Sequence, residues 1–166
     1  DLELGSICCK DAECNVIAKV ESGQPIVERV YSPQKGILSA GEELLVHVEF
    51  NAPVSVIGSP CLELDLIDFP CMDFVSKVDV KTLLFRYTIR SVDATSSLEY
   101  WSTDSLKYMR RNDFDVSGER SGLYDGIVAM SSFYRIVADY SLPVKGTGMS
   151  LSRQSEIVID NSRENV

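Results

Sequence analysis

The chain has 166 residues, which suits a single domain of ordinary size. Hydrophobic residues make up 45% and charged residues 25%, so a buried core can form and a disordered chain is excluded. The formal net charge of −9 argues against a nucleic-acid partner, because phosphate binding needs clustered Lys and Arg. No stretch approaches the ~20 apolar residues of a membrane span, so membrane insertion is not expected.

Residues 1–24 differ from the rest because they crowd Cys8, Cys9 and Cys14 into a short, turn-rich segment. We interpret them as a Cys-rich N-terminal segment or a junction with a preceding module. The single histidine and the lack of a Cys-X-X-Cys pair argue against a zinc site. Disulfides in an oxidising setting are favoured over buried free thiols. Cys14 is expected to pair with Cys8 or Cys9, which leaves one thiol free or available for another chain.

Period-two alternation dominates residues 25–161 and predicts short strands between turn residues. Two segments each place four side chains on one face: Leu44, Val46, Val48 and Phe50 in EELLVHVEF, and Leu83, Phe85, Tyr87 and Ile89 in TLLFRYTIRSV. Further short strands are predicted in PVSVIGSPCLELDL, SLEYW, FYRIVADYSL and SEIVID. Many short alternating strands predict an all-β, antiparallel β-sandwich.

Helical signals are weak. The stretch STDSLKYMRR predicts one or two helical turns with Ser102 or Thr103 as the N-cap. The polar, glycine-bearing stretch NDFDVSGERSGLYDG is typical of a long surface loop, and KGTGMS is interpreted as a loop as well.

No catalytic motif is present in the sequence. The single histidine, His47, lies mid-strand on the outward face and is interpreted as a wet surface residue rather than a catalytic base. The 25 acidic residues contain no pair that spacing singles out. We therefore expect the chain not to be an enzyme.

A series of short motifs carries a family resemblance. Residues 38–66, LSAGEELLVHVEFNAPVSVIGSPCLELDL, follow the pattern aGe.l.v.v.F..pV.V.G.P.L.L. Residues 72–109 contain matches to tL.F.Y.v and dL.Y.stdaL.l, and residues 141–160 match LP…SL…I.ID. In this order the series resembles the bacterial-type Ig-like (cadherin-like) tandem repeats of large extracellular surface and adhesin proteins. The D-x-x-G-N turn that often precedes LP in that family is missing here.

The resemblance implies an Ig-like β-sandwich over residues 25–161 and a linker to a next module in residues 162–166. It implies a non-catalytic structural repeat at the cell surface or outside the cell, which serves as a spacer or scaffold in an assembly or filament. Its expected partners are neighbouring Ig-like modules or subunits of the same assembly. The fold by itself does not decide this function, so the expectation depends on the resemblance to the Ig-like repeats.

The alternative is an adhesin module that binds glycan or a surface protein. Its binding residues would be Arg120 and Tyr124 in the added loop 113–126, together with Trp101, which points outward if Tyr100 takes the inward-facing family position.

The resemblance also raises the question of calcium, because junctions in such arrays often bind this ion through oxygen ligands. The candidates are Asp160 and Asn161 after the last strand, with Asp139 or Glu21 nearby. No other cofactor is expected.

Two cysteines flank a strict alternation, in which Leu62, Leu64 and Leu66 are expected to point inward. Cys61 and Cys71 would then point outward from two strands joined by a turn, directly opposite each other and within reach of a disulfide. A structural clasp on an exposed face is favoured over a redox role.

Overall fold

The computed structural model describes residues 23–109, 125–130 and 134–162. Within these ranges almost all of the regular secondary structure is strand, with a single four-residue helix, which confirms the all-β prediction. In chain order the strands are β1 (Val27–Tyr31), β2 (Gly36–Leu38), β3 (Glu43–Phe50), β4 (Val54–Ile57), β5 (Pro60–Glu63), β6 (Cys71–Asp79), β7 (Thr82–Thr88), β8 (Leu106–Tyr108), β9 (Gly126–Ala129) and β10 (Ile157–Ile159). A four-residue helix, α1 (Leu151–Gln154), precedes β10.

The main feature is a curled antiparallel sheet in the order β1-β3-β7-β6-β5-β8. Strand β3 lies next to β7 along a continuous register from Glu43↔Thr88 to Glu49↔Thr82. Two smaller pairs complete the described strands: β2 with β10, which is parallel, and β4 with β9, which is antiparallel. The first and last strands of the described chain therefore belong to different sheets.

The core forms where the alternating apolar faces meet. The predicted inward positions are buried, because they share the face of each strand that packs against the rest of the chain: Leu44, Val46, Val48, Phe50, Leu83, Phe85 and Ile89 are at most 2% exposed, and Tyr87 is half-buried. Leu62, Leu64 and Leu66 are buried too, as the alternation predicts. Residues from the second half of the chain, including Leu142, Leu151 and Ile157, join the same cluster.

The helix predicted in STDSLKYMRR is wrong for its described part, residues 102–109. Ser102 and Ser105 close a tight turn, with Ser105 N–H donating to the Ser102 carbonyl and Ser102 N–H donating to the Ser105 hydroxyl. Leu106 then pairs with Leu62, so β8 covers the edge of β5. The gain from burying Leu106 and satisfying this sheet edge overrides a weak helical preference.

Two predicted strands are reduced to isolated bridges. In SLEYW only Tyr100 pairs, with Leu64, and in FYRIVADYSL the described pairings are Val137 with Val128 and Asp139 with Ile26. Strand β9 (Gly126–Ala129) was not predicted, and it begins at the last residue of the stretch interpreted as a loop. The Cys-rich segment up to residue 22, and residues 163–166, lie outside the described residues.

Candidate functional site

Cys61 and Cys71 form a disulfide, with a Cα–Cα distance of 5.5 Å. The predicted register is wrong by two residues, because Cys61 lies opposite Asp73 and Cys71 lies opposite Glu63. The bridge therefore crosses the β5–β6 pair diagonally. Cys61 is also 6% exposed rather than wet, since β6 and β8 flank it on both sides. Cys8, Cys9 and Cys14 lie outside the described residues.

The loop that the disulfide closes has an unusual backbone. A tight turn joins Leu66 to Phe69, whose N–H donates to the Leu66 carbonyl at 2.9 Å. Asp68 and Phe69 both have positive φ, 66° and 44°. Aspartate tolerates this region, but for a phenylalanine it costs about 1–2 kcal/mol. Leu66 is anchored in the core and Phe69 is 43% exposed, so the loop holds an aromatic ring outward.

The ring of Phe69 packs against Trp101. The two ring centroids are 4.4 Å apart and the planes are tilted by 44°. Trp101 is 42% exposed and Tyr100 is fully buried, as the inward-facing family position of Tyr100 implied. The backbone N–H of Trp101 donates to the Glu63 carbonyl at 3.0 Å, which fixes the indole beside the end of β5.

Lys145 approaches Trp101 from a separate loop. Its Nζ lies 5.0 Å from the centroid of the ring, donates to the Trp101 carbonyl at 3.0 Å, and lies 3.6 Å from the Asp65 carboxylate. Lys145 occupies a tight turn from Val144 to Thr147, in which the next residue, Gly146, has a φ of 81°. Only glycine adopts that conformation without strain, so the turn depends on it.

Glu99 holds the Lys145 loop in place. Its carboxylate is buried and accepts hydrogen bonds from the Gly146 N–H at 3.2 Å and from the Ser152 hydroxyl at 2.8 Å. The Tyr100 hydroxyl donates to the Pro143 carbonyl. A buried carboxylate needs such donors to offset its desolvation, so this loop is fastened at several points.

We call Asp65, Phe69, Trp101 and Lys145 the hairpin-tip site. Sequence reasoning found Trp101 and missed the other three. The Gly-bearing KGTG stretch carries a turn signal that could have placed Lys145 at a tight turn. The outward orientation of Phe69 depends on two left-handed residues, for which the sequence carries no signal. Arg120 and Tyr124, the other predicted binding residues, lie outside the described residues, as does most of the loop 113–126.

The described part of the chain begins at the end of β3 that carries Phe50. Val27 pairs with Phe50, while the backbone and side chain of Asn51 bond to both backbone groups of Ile26. The N–H of Asp139 also donates to the carbonyl of Pro25. Residues 25–27 are thus fixed at what we call the Phe50 end.

The described part of the chain finishes at the opposite end of β3, which we call the Glu43 end. The side-chain amide of Asn161 donates to the carbonyls of Arg90, Ser91 and Asp93, at 2.9–3.2 Å. Its oxygen accepts from the N–H of Ala40 at 2.5 Å. In this conformation the side chain of Asn161 connects the residue Ala40, before β3, to the turn after β7, and its role is structural.

Asp93 supports the same end from within. It is 1% exposed and accepts from the Tyr87 hydroxyl at 2.6 Å, the Arg90 N–H at 2.8 Å and the Arg90 guanidinium at 2.6 Å. Burial raises the pKa of Asp93, but these donors outweigh it and hold the pKa below its usual value. Burial and the Asp93 contact also raise the pKa of Tyr87.

The calcium prediction stays open. Asp160 is the other residue predicted to bind calcium. One of its side-chain oxygens accepts hydrogen bonds from the N–H and the hydroxyl of Ser162, at 2.9 and 2.6 Å. Asp139 accepts from the Ser141 N–H, and Glu21 lies outside the described residues. Across the described ranges, no three His, Cys, Asp or Glu side chains converge as a metal site would require.

His47 is half-buried rather than fully wet, which corrects the sequence interpretation. Its ring meets the Tyr31 ring edge-on, with centroids 4.9 Å apart, and Tyr31 in turn lies under the Arg29 guanidinium at 4.0 Å. The buried Nδ1 atom has no hydrogen-bond partner among the described residues. Burial lowers the pKa of His47; the charge of Asp79 opposes this shift and that of Arg29 adds to it.

Comparison with known protein families, curated proteins and solved structures gives no match. In the described part of the chain, no helix has the length and apolar character that crossing a membrane demands.

Proposed function

We propose that this domain is a non-catalytic structural module of an extracellular or cell-surface protein, and that it carries tension between neighbouring modules. The observation that supports this most is that the described residues begin at the Phe50 end of β3 and finish at the Glu43 end. Strand β3 has eight residues, which separate the two ends by about 24 Å. A module joined at opposite ends extends an array with every copy.

The strand pairings suit such a load. Strand β1 starts at the Phe50 end, so a pull on the preceding chain acts along its axis. Its ladder to β3 runs across that axis, and the four pairs are loaded together. Strand β10 lies parallel to β2 and leads to the Glu43 end, so its three pairs are also sheared.

Hydrogen bonds join the residue after β1 to the segment that precedes β10. The N–H of Ser32, just after β1, donates to the Ser155 hydroxyl at 2.8 Å, and that hydroxyl donates back to the Ser32 carbonyl at 3.1 Å. Both residues are buried. Beside them the Arg29 side chain bonds Glu49 on β3 at 2.5 Å and Gln154 in α1 at 3.3 Å. These hydrogen bonds connect β1 directly to the segment before β10, so tension passes between the Phe50 end and the Glu43 end through few intervening residues.

The extracellular assignment is supported by the disulfide, since such bridges persist in oxidising compartments. The resemblance to Ig-like surface repeats supports the same setting and is compatible with an all-β chain. An Ig-like sandwich, with neighbouring modules or subunits of one assembly as partners, is part of the proposal.

Single-molecule force spectroscopy tests the proposal. We expect the chain, pulled through its two ends, to resist as one unit and to unfold in a single step. The matched control pulls through the N terminus and a handle at Ala52, so that both attachments lie at the Phe50 end. That geometry peels β1 from β3 one pair at a time and is expected to need much less force. Equal forces in the two geometries would contradict a tension-bearing role.

The disulfide gives an internal check on that experiment. The bridge joins cysteines that are 10 residues apart in the sequence, and it prevents the loop between them from extending under force. Reduction should lengthen the unfolded chain by roughly 30 Å, the extended span of those residues minus the bridged distance.

A further inference from the structure

We propose that the hairpin-tip site binds uncharged carbohydrate, with the rings of Phe69 and Trp101 as the platform and Asp65 and Lys145 as the polar rim. This inference goes beyond the structural role and does not depend on it. A domain can bear tension with or without a ligand on its surface.

The rings offer the apolar part of such a site. Both side chains are more than two-fifths exposed, and their ring centroids are 4.4 Å apart. The two rings therefore form one continuous apolar surface that is open to solvent. Sugar rings carry C–H groups on their faces, and these pack on aromatic faces. Small-molecule sites in proteins typically combine aromatic surface with a few fixed polar groups.

The polar rim is close at hand. The Asp65 carboxylate and the Lys145 ammonium lie 3.6 Å apart, and their side chains are 44% and 37% exposed. A carboxylate accepts from sugar hydroxyls and an ammonium donates to them. The pair is neutral as a unit, so it can bind hydroxyls without requiring a charged ligand.

The platform is fixed before any ligand arrives. The Cys61–Cys71 bridge closes the loop, and the Leu64 N–H donates to the Pro70 carbonyl at 2.8 Å inside it. The Arg90 guanidinium donates to the Ile67 carbonyl at 2.7 Å. A preorganised surface loses less entropy on binding, which matters for weak ligands such as sugars.

Charge favours an uncharged glycan over an acidic one. The chain carries a net charge of −9, and such a field repels uronates and sulfated sugars. A protein partner is less suited, because the charged pair and Asp68 interrupt the apolar surface that a stable interface needs.

The chain contains one tryptophan, so its fluorescence reports on this site. The experiment titrates the full chain with cellohexaose and laminarihexaose, and with hexagalacturonate as the acidic comparison. We expect the neutral hexasaccharides to shift or quench the Trp101 emission in a saturable manner. Hexagalacturonate should leave it unchanged.

Phe69→Gly separates binding from folding. Glycine accepts the positive φ, so the variant keeps the loop and loses the ring. We expect binding to weaken roughly tenfold or more while the thermal midpoint stays level or rises. Asp68→Gly makes the matched backbone change at the neighbouring position and should bind like the wild type.

Three results would overturn the proposal. The first is a wild-type chain whose Trp101 emission responds to neither neutral sugar. The second is tighter binding of hexagalacturonate, which would point to an acidic ligand instead. The third is full retention of binding in Phe69→Gly, which would exclude the ring platform.

Discussion

The side-chain oxygen of Asn161 accepts a hydrogen bond from the backbone N–H of Ala40, 121 residues earlier in the chain. The same side chain donates to three carbonyls in the turn after β7. One residue thus satisfies backbone groups from two separate turns and holds the last strand at the Glu43 end. Backbone groups of this kind are costly to leave unpaired, so the contact should matter for stability.

We expect Asn161→Ala to lower the free energy of unfolding by about 2–3 kcal/mol, because the bond to Ala40 and the amide's bonds to the turn after β7 are lost together. Asn161→Asp keeps the acceptor for Ala40 but sets a carboxylate against three carbonyls, so it should be at least as destabilising. Urea unfolding measures both. Ser162→Ala is the neighbouring control and should change stability by less than about 0.5 kcal/mol. Wild-type stability in Asn161→Asp would show that the amide donors contribute nothing.

Removing the disulfide should destabilise the domain without rearranging it. For a closed loop of about ten residues, Cys61→Ala together with Cys71→Ala should cost about 2–3 kcal/mol of unfolding free energy. The Leu62↔Met72 pair between the two positions should keep the register. Reduction of the wild-type chain provides the control and should give the same loss. Peptide mapping without reductant that recovers both thiols free would contradict the bridge.

Asp93 should make stability depend on acid. Its pKa in the folded chain lies below the ordinary value of 3.8, so the unfolded chain takes up the proton first. The stabilisation is present above about pH 4 and is lost as the pH falls through the folded pKa. Asp93→Asn should lose about 2 kcal/mol near neutrality, since the charge-assisted bonds from Arg90 and Tyr87 are weakened.

The pH series provides the check on Asp93. The gap in unfolding free energy between wild type and Asp93→Asn should shrink steadily below about pH 4. Asp104→Asn is the control at an exposed acidic position and should change the unfolding free energy by less than about 0.5 kcal/mol. A gap that does not change with pH would mean that the charge on Asp93 does not contribute.

His47 should make the unfolding free energy depend on pH closer to neutrality than Asp93 does. Its pKa in the folded chain is below 6.5, so protonation favours the unfolded state. Wild-type stability should therefore fall as the pH drops from 7 through 6.5 and below. His47→Phe keeps the ring contact with Tyr31 and removes the titration, so its stability should stay flatter over that interval. Since the chain has one histidine, parallel curves for the two proteins would refute the assignment.

Alternation alone was enough to predict the inward apolar side chains of β3 and β7 and the inward leucines at 62, 64 and 66, but it placed Cys61 outward, which is wrong. Because successive side chains in a strand point to opposite faces, the placement of Leu44, Val46 and Val48 follows from the strand assignment itself. The pairing of Cys61 with Cys71 was also within reach, since any hairpin over so short a loop brings them close. Their register was not, because a two-residue shift keeps every side chain on the same face.

The sequence by itself determined the all-β class, the inward faces and the cysteine pair, since each depends on local spacing. Only the tertiary structure decided that Phe69, Trp101 and Lys145 meet, and that Asn161 reaches Ala40. Those contacts join segments far apart in the chain, and the orientation of Phe69 depends on two left-handed residues. Packing against the sheet sets such features, and no local pattern encodes it.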